Sequence, residues 1–235
     1  MKYRIMMDIN ACRNPRAHRR FGLEYEQLEE LMVNSPAIVG DLRLIHMCSQ
    51  SDGACVMIFA SEEKTAQFNK NPPVWIRDHI SVHKEEQISN DFAWEPPESS
   101  MRYAARKLFA RNGIDNPIEY FDVFEMYDPS SWWGVAWLRE FMLLEGDEHI
   151  KLVEEGGWDI DGKLPVNPSG GVTATNPIGA TAMLRPAEAA LQIRGDAGPH
   201  QLNREVRHAL ASGFGGTMWT VLIMLEKDLD WQEVD

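Results

Sequence analysis

Residues 164–181 have the sequence LPVNPSGGVTATNPIGAT, and the fold prediction starts from this stretch. Residues 167–171 combine asparagine, proline, serine and two glycines, which is the composition of a tight turn. Pro177 is placed to open a helix that runs to Arg194, and Gly195 is placed to end it. In α/β proteins, binding sites are built on the loops that connect strands with helices, so this stretch is a candidate site loop.

The segments on both sides of this loop alternate between strand and helix patterns. Short apolar runs predict strands at residues 54–60, 74–82, 118–124, 206–211 and 217–225. Helical spacing and capping residues predict helices at residues 23–32, 101–112, 129–144 and 177–194. The apolar run at 54–60 predicts a strand buried on both faces, with Cys55 in the core, and residues 213–216 predict a turn. Alternating strands and helices predict a layered α/β fold.

Composition excludes several classes of protein. The chain has 235 residues, 44% of them hydrophobic, which is enough to bury a globular core. A formal net charge of −13 argues against nucleic acid or an anionic membrane as the main partner. No apolar run approaches the roughly 20 residues of a membrane helix. Cys12, Cys48 and Cys55 form no CxxC pair and no signal peptide is visible, so we predict a reducing, cytoplasmic location.

Common catalytic motifs are missing from the sequence: it contains no GxxxxGK[ST], GxSxG or HExxH pattern. His79 and His83 share a face at i, i+4 spacing. We interpret them as surface histidines of a strand, with a metal pair as the alternative, and we predict no metal site. Trp132, Trp133 and Trp137 either line an apolar pocket or pack in the core.

Several segments, in a fixed order, resemble a known family. They are Leu164 to Gly171, Asn176-Pro177-Ile178-Gly179-Ala180-Thr181 and Gln192-Ile193-Arg194-Gly195. Together they resemble the C-terminal half of thiolases. The thiolase branch that they resemble most is the sterol-carrier-protein group. Ser51-Asp52-Gly53-Ala54 resembles the end of the thiolase N-terminal half, and residues 10–17 resemble a loop before it. The resemblance implies a thiolase-like layered αβα fold, with residues 1–70 as a remnant of the N-terminal half and 71–235 as the C-terminal domain.

Thiolases use a nucleophilic cysteine, an oxyanion hole and a general acid/base to move an acyl group from 3-ketoacyl-CoA. None of the three cysteines of this chain matches the nucleophile, which belongs to the first half of a thiolase. The resemblance therefore implies a truncated chain, or one subunit of a split enzyme whose missing half comes from another chain. It implies an acyl-CoA substrate, no other cofactor, and a homo- or hetero-oligomer. A small zinc-ribbon and OB-fold protein is a further implied partner.

The sequence departs from the thiolase pattern at each acid/base position. Tyr127 stands in place of the histidine of the His-Asp loop, with Asp128 retained. Asn176 stands in place of the histidine of the Gly-His-Pro loop, and Gly213 aligns with a C-terminal cysteine. Asn176 can donate an N–H to an oxyanion but cannot take a proton. A Tyr-Asp pair is similar to that of thiolase-like steroid side-chain aldolases, which need no cysteine.

The predicted site combines these positions with the turn glycines. The candidate catalytic residues are Tyr127, Asp128 and Asn176. The candidate substrate-binding residues are Gly170, Gly171, Gly213, Phe214, Gly215 and Gly216. In the alternative interpretation Tyr127 is structural, Asn176 only caps the following helix, and the glycines only form turns.

Three functions stay open at this point. The first is acyltransferase-type cleavage or condensation of acyl-CoA in lipid metabolism. The second is a cysteine-independent retro-aldol cleavage with Tyr127 as acid/base. The third is non-catalytic binding of acyl-CoA or lipid.

Overall fold

Four strands form one mixed sheet at the centre of the fold. The computed structural model describes residues 1–65, 67, 71–83, 98–215 and 219–229. The strands are β1 (Ala37–Val39), β2 (Leu42–Arg43), β3 (Trp75–Val82), β4 (Val123–Glu125), β5 (His208–Gly215) and β6 (Trp219–Glu226). The sheet has the order β3-β6-β5-β4, in which β6 is antiparallel to both neighbours and β4 is parallel to β5. β1 and β2 form a separate small hairpin.

Helices cover both faces of this sheet. They are α1 (Lys2–Arg13), α2 (Tyr25–Asn34), α3 (Glu62–Thr65), α4 (Ser100–Arg111), α5 (Pro117–Tyr120), α6 (Ser131–Phe141), α7 (Glu148–Glu154), α8 (Gly171–Ala174) and α9 (Thr181–Arg194). Side chains alternate across a strand, so Leu210 of β5 joins the core under α4 and α6, whereas Ala209 and Ala211 face α9. The predicted mixed α/β class is confirmed.

Most predicted elements are confirmed with small shifts at their ends. The strand predicted at 74–82 is β3, and those predicted at 206–211 and 217–225 are β5 and β6. The four predicted helices are α2, α4, α6 and α9. No helix within the described ranges is long and apolar enough to cross a bilayer.

The prediction of a strand at residues 54–60 is wrong. This segment has no regular secondary structure, and Val56, Ile58 and Phe59 are 86%, 78% and 66% exposed. Cys55 is partly exposed and is not a core residue. The apolar run predicted burial, but within the described ranges no strand pairs with it, so the side chains stay open to solvent.

Two further boundaries differ from prediction. Residues 118–124 were expected to be one strand, but Pro117 starts the helical turn α5, and the strand β4 begins only at Val123. The turn expected at 213–216 is also wrong in part, because Gly213 and Gly215 pair with β6 as the last residues of β5. Residues 216–218 lie outside the described part of the chain.

Helix α1 fixes the loop that precedes α8. The Asn10 side-chain amide donates to the carbonyl oxygens of Val166 and Asn167, at 3.3 and 3.1 Å. At the C-terminal end of α1, the amide of the C-cap residue Asn14 donates to the Ser169 carbonyl at 3.0 Å. Both asparagines are buried, and these bonds satisfy backbone groups that would otherwise be unpaired. The N-terminal helix is therefore part of the support of the candidate site loop.

Candidate functional site

Tyr127 lies directly after β4, on a loop held from two sides. Its backbone N–H donates to the Ser212 hydroxyl of β5 at 2.9 Å. Its ring packs against Phe214, with ring centroids 6.0 Å apart. The side chain is half-buried, and burial, with a smaller effect of the Cys48 side chain, raises the pKa of the Tyr127 phenol. The phenol therefore keeps its proton at neutral pH and is available as a hydrogen-bond donor or acid.

Asn176 is buried, and its amide has a defined orientation. Its Oδ1 accepts from the Thr181 hydroxyl at 2.9 Å, which leaves Nδ2 to donate to Cys48 Sγ at 3.3 Å. The backbone of Asn176 exchanges hydrogen bonds with Ser51, from Asn176 N to the Ser51 hydroxyl at 3.1 Å and from Ser51 N to the Asn176 carbonyl at 3.2 Å. These contacts fix a side-chain N–H donor beside the thiol.

Asn176 does not cap the following helix. α9 begins at Thr181 with Ala180 at its N-cap, whereas the sequence predicted a start at Pro177. Pro177 instead starts a turn, since Ala180 N donates to the Pro177 carbonyl at 2.9 Å. The interpretation of Asn176 as an N-cap is therefore wrong.

Cys48 is a further candidate residue, which the sequence analysis missed. Its backbone N–H donates to the Pro129 carbonyl at 2.8 Å, and its side chain is half-buried next to Asn176. Burial is the main cause of the raised pKa of the Cys48 thiol. Asp128 raises this pKa further, and Arg19 lowers it. The signal that was available is its position three residues before Ser51-Asp52-Gly53, the segment already singled out by resemblance.

Asp128 is fully buried, and both of its oxygens are engaged. Oδ2 accepts from the Tyr3 hydroxyl at 3.1 Å, and Oδ1 accepts from Val172 N at 2.6 Å. Desolvation by burial is the main cause that raises the pKa of Asp128 to about 7, although the hydrogen bond from Val172 opposes it. Asp128 thus joins α1, the Tyr127 loop and α8.

We expect Asp128 to make folding stability depend on pH. Its pKa rises from 3.8 to about 7 on folding, so between these values the folded state holds more protons than the unfolded one. Its contribution to the free energy of unfolding is therefore greatest below about pH 4 and is lost as the pH rises to about 7. The loss is at most about 4 kcal/mol.

Urea denaturation of the wild type, Asp128→Asn and the exposed-site control Asp41→Asn should be compared from about pH 4 to about pH 8. The decline in stability should be shallower in Asp128→Asn than in the other two proteins. Equal slopes in all three would contradict the buried, proton-binding state of Asp128.

Gly170 and Gly171 pack closely against neighbouring atoms of the protein. Both have positive φ, at 94° and 67°, where residues with a side chain are strained. A Cβ on Gly171 would overlap Asp128 Oδ1, and a Cβ on Gly170 would lie 2.7 Å from the Ala11 Cβ. Their contact with substrate stays a prediction.

Residues 213–216, the second glycine-rich segment of the predicted site, lie partly beside Tyr127. Phe214 packs against the Tyr127 ring, and Gly213 and Gly215 flank it on β5. Gly216 lies outside the described residues. The structure therefore brings Tyr127 and Phe214 together.

A buried ion pair between Arg185 and Glu125 connects the end of β4 with helix α9. Arg185 of α9 donates to Glu125 Oε2 at 2.8 Å, and both side chains are at most 2% exposed. Ser169 contributes its hydroxyl to Glu125 Oε2 at 2.7 Å and its N–H to Oε1 at 3.1 Å. Burial raises the pKa of Glu125, and Arg185 opposes this. The pair therefore connects the end of β4, the loop before α8, and α9.

Comparisons with known proteins identify the family of this fold. Residues 81–227, more than half of the chain, match the family described as thiolase C-terminal domain-like. Acetyl-CoA acetyltransferase of Methanothermobacter thermautotrophicus is 30% identical over 219 residues, which cover 91% of this chain and 54% of that protein. Sterol carrier protein 2 of Homo sapiens is 28% identical over 225 residues, which cover 91% of this chain and 39% of that protein.

A solved structure of the Ltp2-ChsH2(DUF35) aldolase has the same fold. It superposes with a TM-score of 0.77 at 23% identity, covering 98% of this chain and 58% of that one. The chain spans about half the length of the acetyltransferase and of this solved chain. The matched segment includes β4, β5, β6 and the loops that carry Tyr127 and Asn176. This chain belongs to the thiolase C-terminal domain-like family.

Proposed function

We propose that this chain carries one side of an active site that forms or breaks a carbon–carbon bond in an acyl-CoA thioester. The observation that carries the proposal is the position of Cys48, whose side chain lies beside Asn176 and whose N–H binds the carbonyl of Pro129, two residues after Tyr127. The name of the acetyl-CoA acetyltransferase relative supports an acyl-CoA as the substrate class. No cofactor other than the coenzyme A thioester itself is needed for this chemistry.

Asn176 is proposed to stabilise the enolate oxygen. Cleavage or formation of a bond at the α-carbon places negative charge on the thioester oxygen, which a fixed N–H donor stabilises. The bond from Thr181 holds Nδ2 of Asn176 in place before the substrate arrives. A preorganised donor of this kind loses no energy to reorientation during the reaction.

Tyr127 is proposed as the acid/base at the other reacting oxygen. In the condensation direction the phenol gives its proton to the ketone oxygen as the new bond forms, and cleavage is the reverse transfer. Asp128 is proposed as a positioning residue, because Tyr3 and Val172 already occupy its two oxygens. Gly170 and Gly171 are proposed to shape the neighbouring backbone.

A retro-aldol cleavage without a cysteine nucleophile is the second candidate. Burial raises the pKa of all three thiols, Cys12, Cys48 and Cys55, above the ordinary value of 9.0. A thiol with a raised pKa is mostly protonated at neutral pH and is a weak nucleophile. The cysteines of this chain therefore favour acid/base chemistry over formation of an acyl-enzyme.

The missing half of the site is proposed to come from a polypeptide equivalent to the first half of the relatives. Under this proposal residues 1–70 belong to that first half and residues 71–235 form the C-terminal domain. The exposed side chains of Val56, Ile58 and Phe59 support it, because clustered exposed apolar side chains mark contact surfaces. The solved aldolase is named for two components, which supports a second partner chain, proposed to be of the zinc-ribbon and OB-fold type.

The test begins with the native assembly, purified from its source with every chain that accompanies it. We expect carbon–carbon bond cleavage of a 3-ketoacyl-CoA with free CoA, or of a 3-hydroxyacyl-CoA. Mass spectrometry of the quenched reaction then separates the two mechanisms. A thiolase leaves an acyl group on a cysteine of the assembly, whereas a retro-aldol reaction leaves none. Binding of acyl-CoA without turnover of either substrate would instead identify a non-catalytic binding protein.

A further inference from the structure

We propose that Cys48 is the residue that transfers a proton to and from the α-carbon of the acyl-CoA thioester. This rests on the proposed function and assigns a third role within the same site. Cys48 Sγ lies 3.3 Å from Asn176 Nδ2. A thioester oxygen bound by that amide replaces the sulfur as its acceptor, and the thiol then lies beside the bound carbonyl. The α-carbon is bonded to the carbonyl carbon, so it falls next to the S–H.

The position of Cys48 is fixed from both catalytic loops. Its N–H donates to the carbonyl of Pro129, two residues after Tyr127, at 2.8 Å. Ser51, three residues further on, exchanges backbone and hydroxyl hydrogen bonds with Asn176. Cys48 is thus held between the Tyr127 loop and the Asn176 loop, as proton transfer at a defined carbon requires.

Arg19 supports both the geometry and the charge at this thiol. Its guanidinium donates to the Met47 carbonyl at 2.6 Å, immediately before Cys48. It also opposes the rise in the pKa of Cys48 that burial causes. The resting thiol is therefore protonated, and the thiolate formed by proton donation has a cationic neighbour.

The proton transfers balance in either mechanism. When the carbon–carbon bond breaks, its electron pair passes to the α-carbon as an enolate, and the Cys48 S–H proton adds to that carbon. In a retro-aldol cleavage, the Tyr127 phenol relays the 3-hydroxyl proton: it accepts that proton as its own proton passes to the Cys48 thiolate. In a thiolytic cleavage, the CoA thiol that attacks the acyl group gives its proton to the thiolate. The cycle needs no further reactant.

Exchange of the methyl protons of acetyl-CoA with D₂O measures this step without bond cleavage. Proton NMR should follow the exchange in the native assembly containing the wild-type chain, Cys48→Ala or Cys48→Ser. Wild type should exchange, and both variants should be slower by about a hundredfold or more, because a general acid/base contributes about that much. Cys12→Ala and Cys55→Ala are matched controls that should keep the wild-type rate. Thermal melting and acetyl-CoA binding of each variant serve as controls for folding.

The outcomes separate this inference from the proposed function. If the wild-type assembly neither exchanges nor cleaves acyl-CoA, the proposed function fails, and this inference fails with it. If Cys48→Ala exchanges at the wild-type rate, the role of Cys48 is refuted while the proposed function stands. If Cys48→Ala is unfolded, Cys48→Ser decides, because it keeps the size of the side chain. A Cys48→Ser protein with wild-type exchange would overturn the role of the thiol.

Discussion

Replacing Tyr127 with phenylalanine should slow carbon–carbon bond cleavage by about 10²–10⁴-fold, the contribution of a positioned acid/base. The substitution removes only the phenolic oxygen, and the ring keeps its packing against Phe214. The backbone bond from Tyr127 N to Ser212 does not depend on the side chain, so the loop should keep its position. Acyl-CoA binding and the melting temperature should therefore stay close to those of the wild type.

The measurement for Tyr127→Phe is kcat and KM of the native assembly on the substrate that it cleaves. The loss should fall on kcat, because the hydroxyl acts on the transition state. Tyr25→Phe on α2 is the matched control, since that tyrosine is 42% exposed, and it should behave as wild type. A Tyr127→Phe assembly with at least half of the wild-type kcat would show that Tyr127 is structural.

Replacing Arg185 with methionine should lower the free energy of unfolding by about 3–5 kcal/mol, as removal of one partner of a buried ion pair does. The substitution leaves the Glu125 carboxylate buried with only Ser169 to bind it. Since Arg185 opposes the rise in the pKa of Glu125 that burial causes, that pKa should rise further in the variant.

Urea denaturation of Arg185→Met and of Arg194→Met gives a matched comparison on one helix. Arg194 pairs with the half-exposed Asp196 at 2.8 Å, so its replacement should cost about 1 kcal/mol or less. Adding Glu125→Gln to Arg185→Met should recover part of the loss, because it removes the unpaired charge. Equal losses for the two arginine variants would contradict a special role for the buried pair.

The sequence predicted the fold well where local pattern and tertiary environment agree. β3, β5, β6 and the helices α4, α6 and α9 combine periodicity with clear caps or turns, and they lie where they were expected. Residues 54–60, predicted as a buried strand, are the exception. Apolar composition alone indicates that a segment will be buried, but it cannot indicate which chain provides the partner.

The site could be predicted only where a residue replaces one in a known motif. Tyr127 and Asn176 were found in this way, and Cys48 contacts the Asn176 side chain and the backbone of the Tyr127 loop. Cys48, Tyr3 and Arg185 were missed, because their roles depend on contacts between residues far apart in the chain. The hydrogen bond between Tyr3 and Asp128, for example, spans 125 positions.

The supports of the site reach well outside the matched family segment, which begins at residue 81. Asn10 and Asn14 hold the loop before α8, and Tyr3 holds Asp128. A chimera that joined residues 81–227 to an unrelated leading segment would inherit the β4–β5–β6 part of the sheet and lose these anchors. A chimera that keeps these loops in place must therefore carry helix α1 together with them.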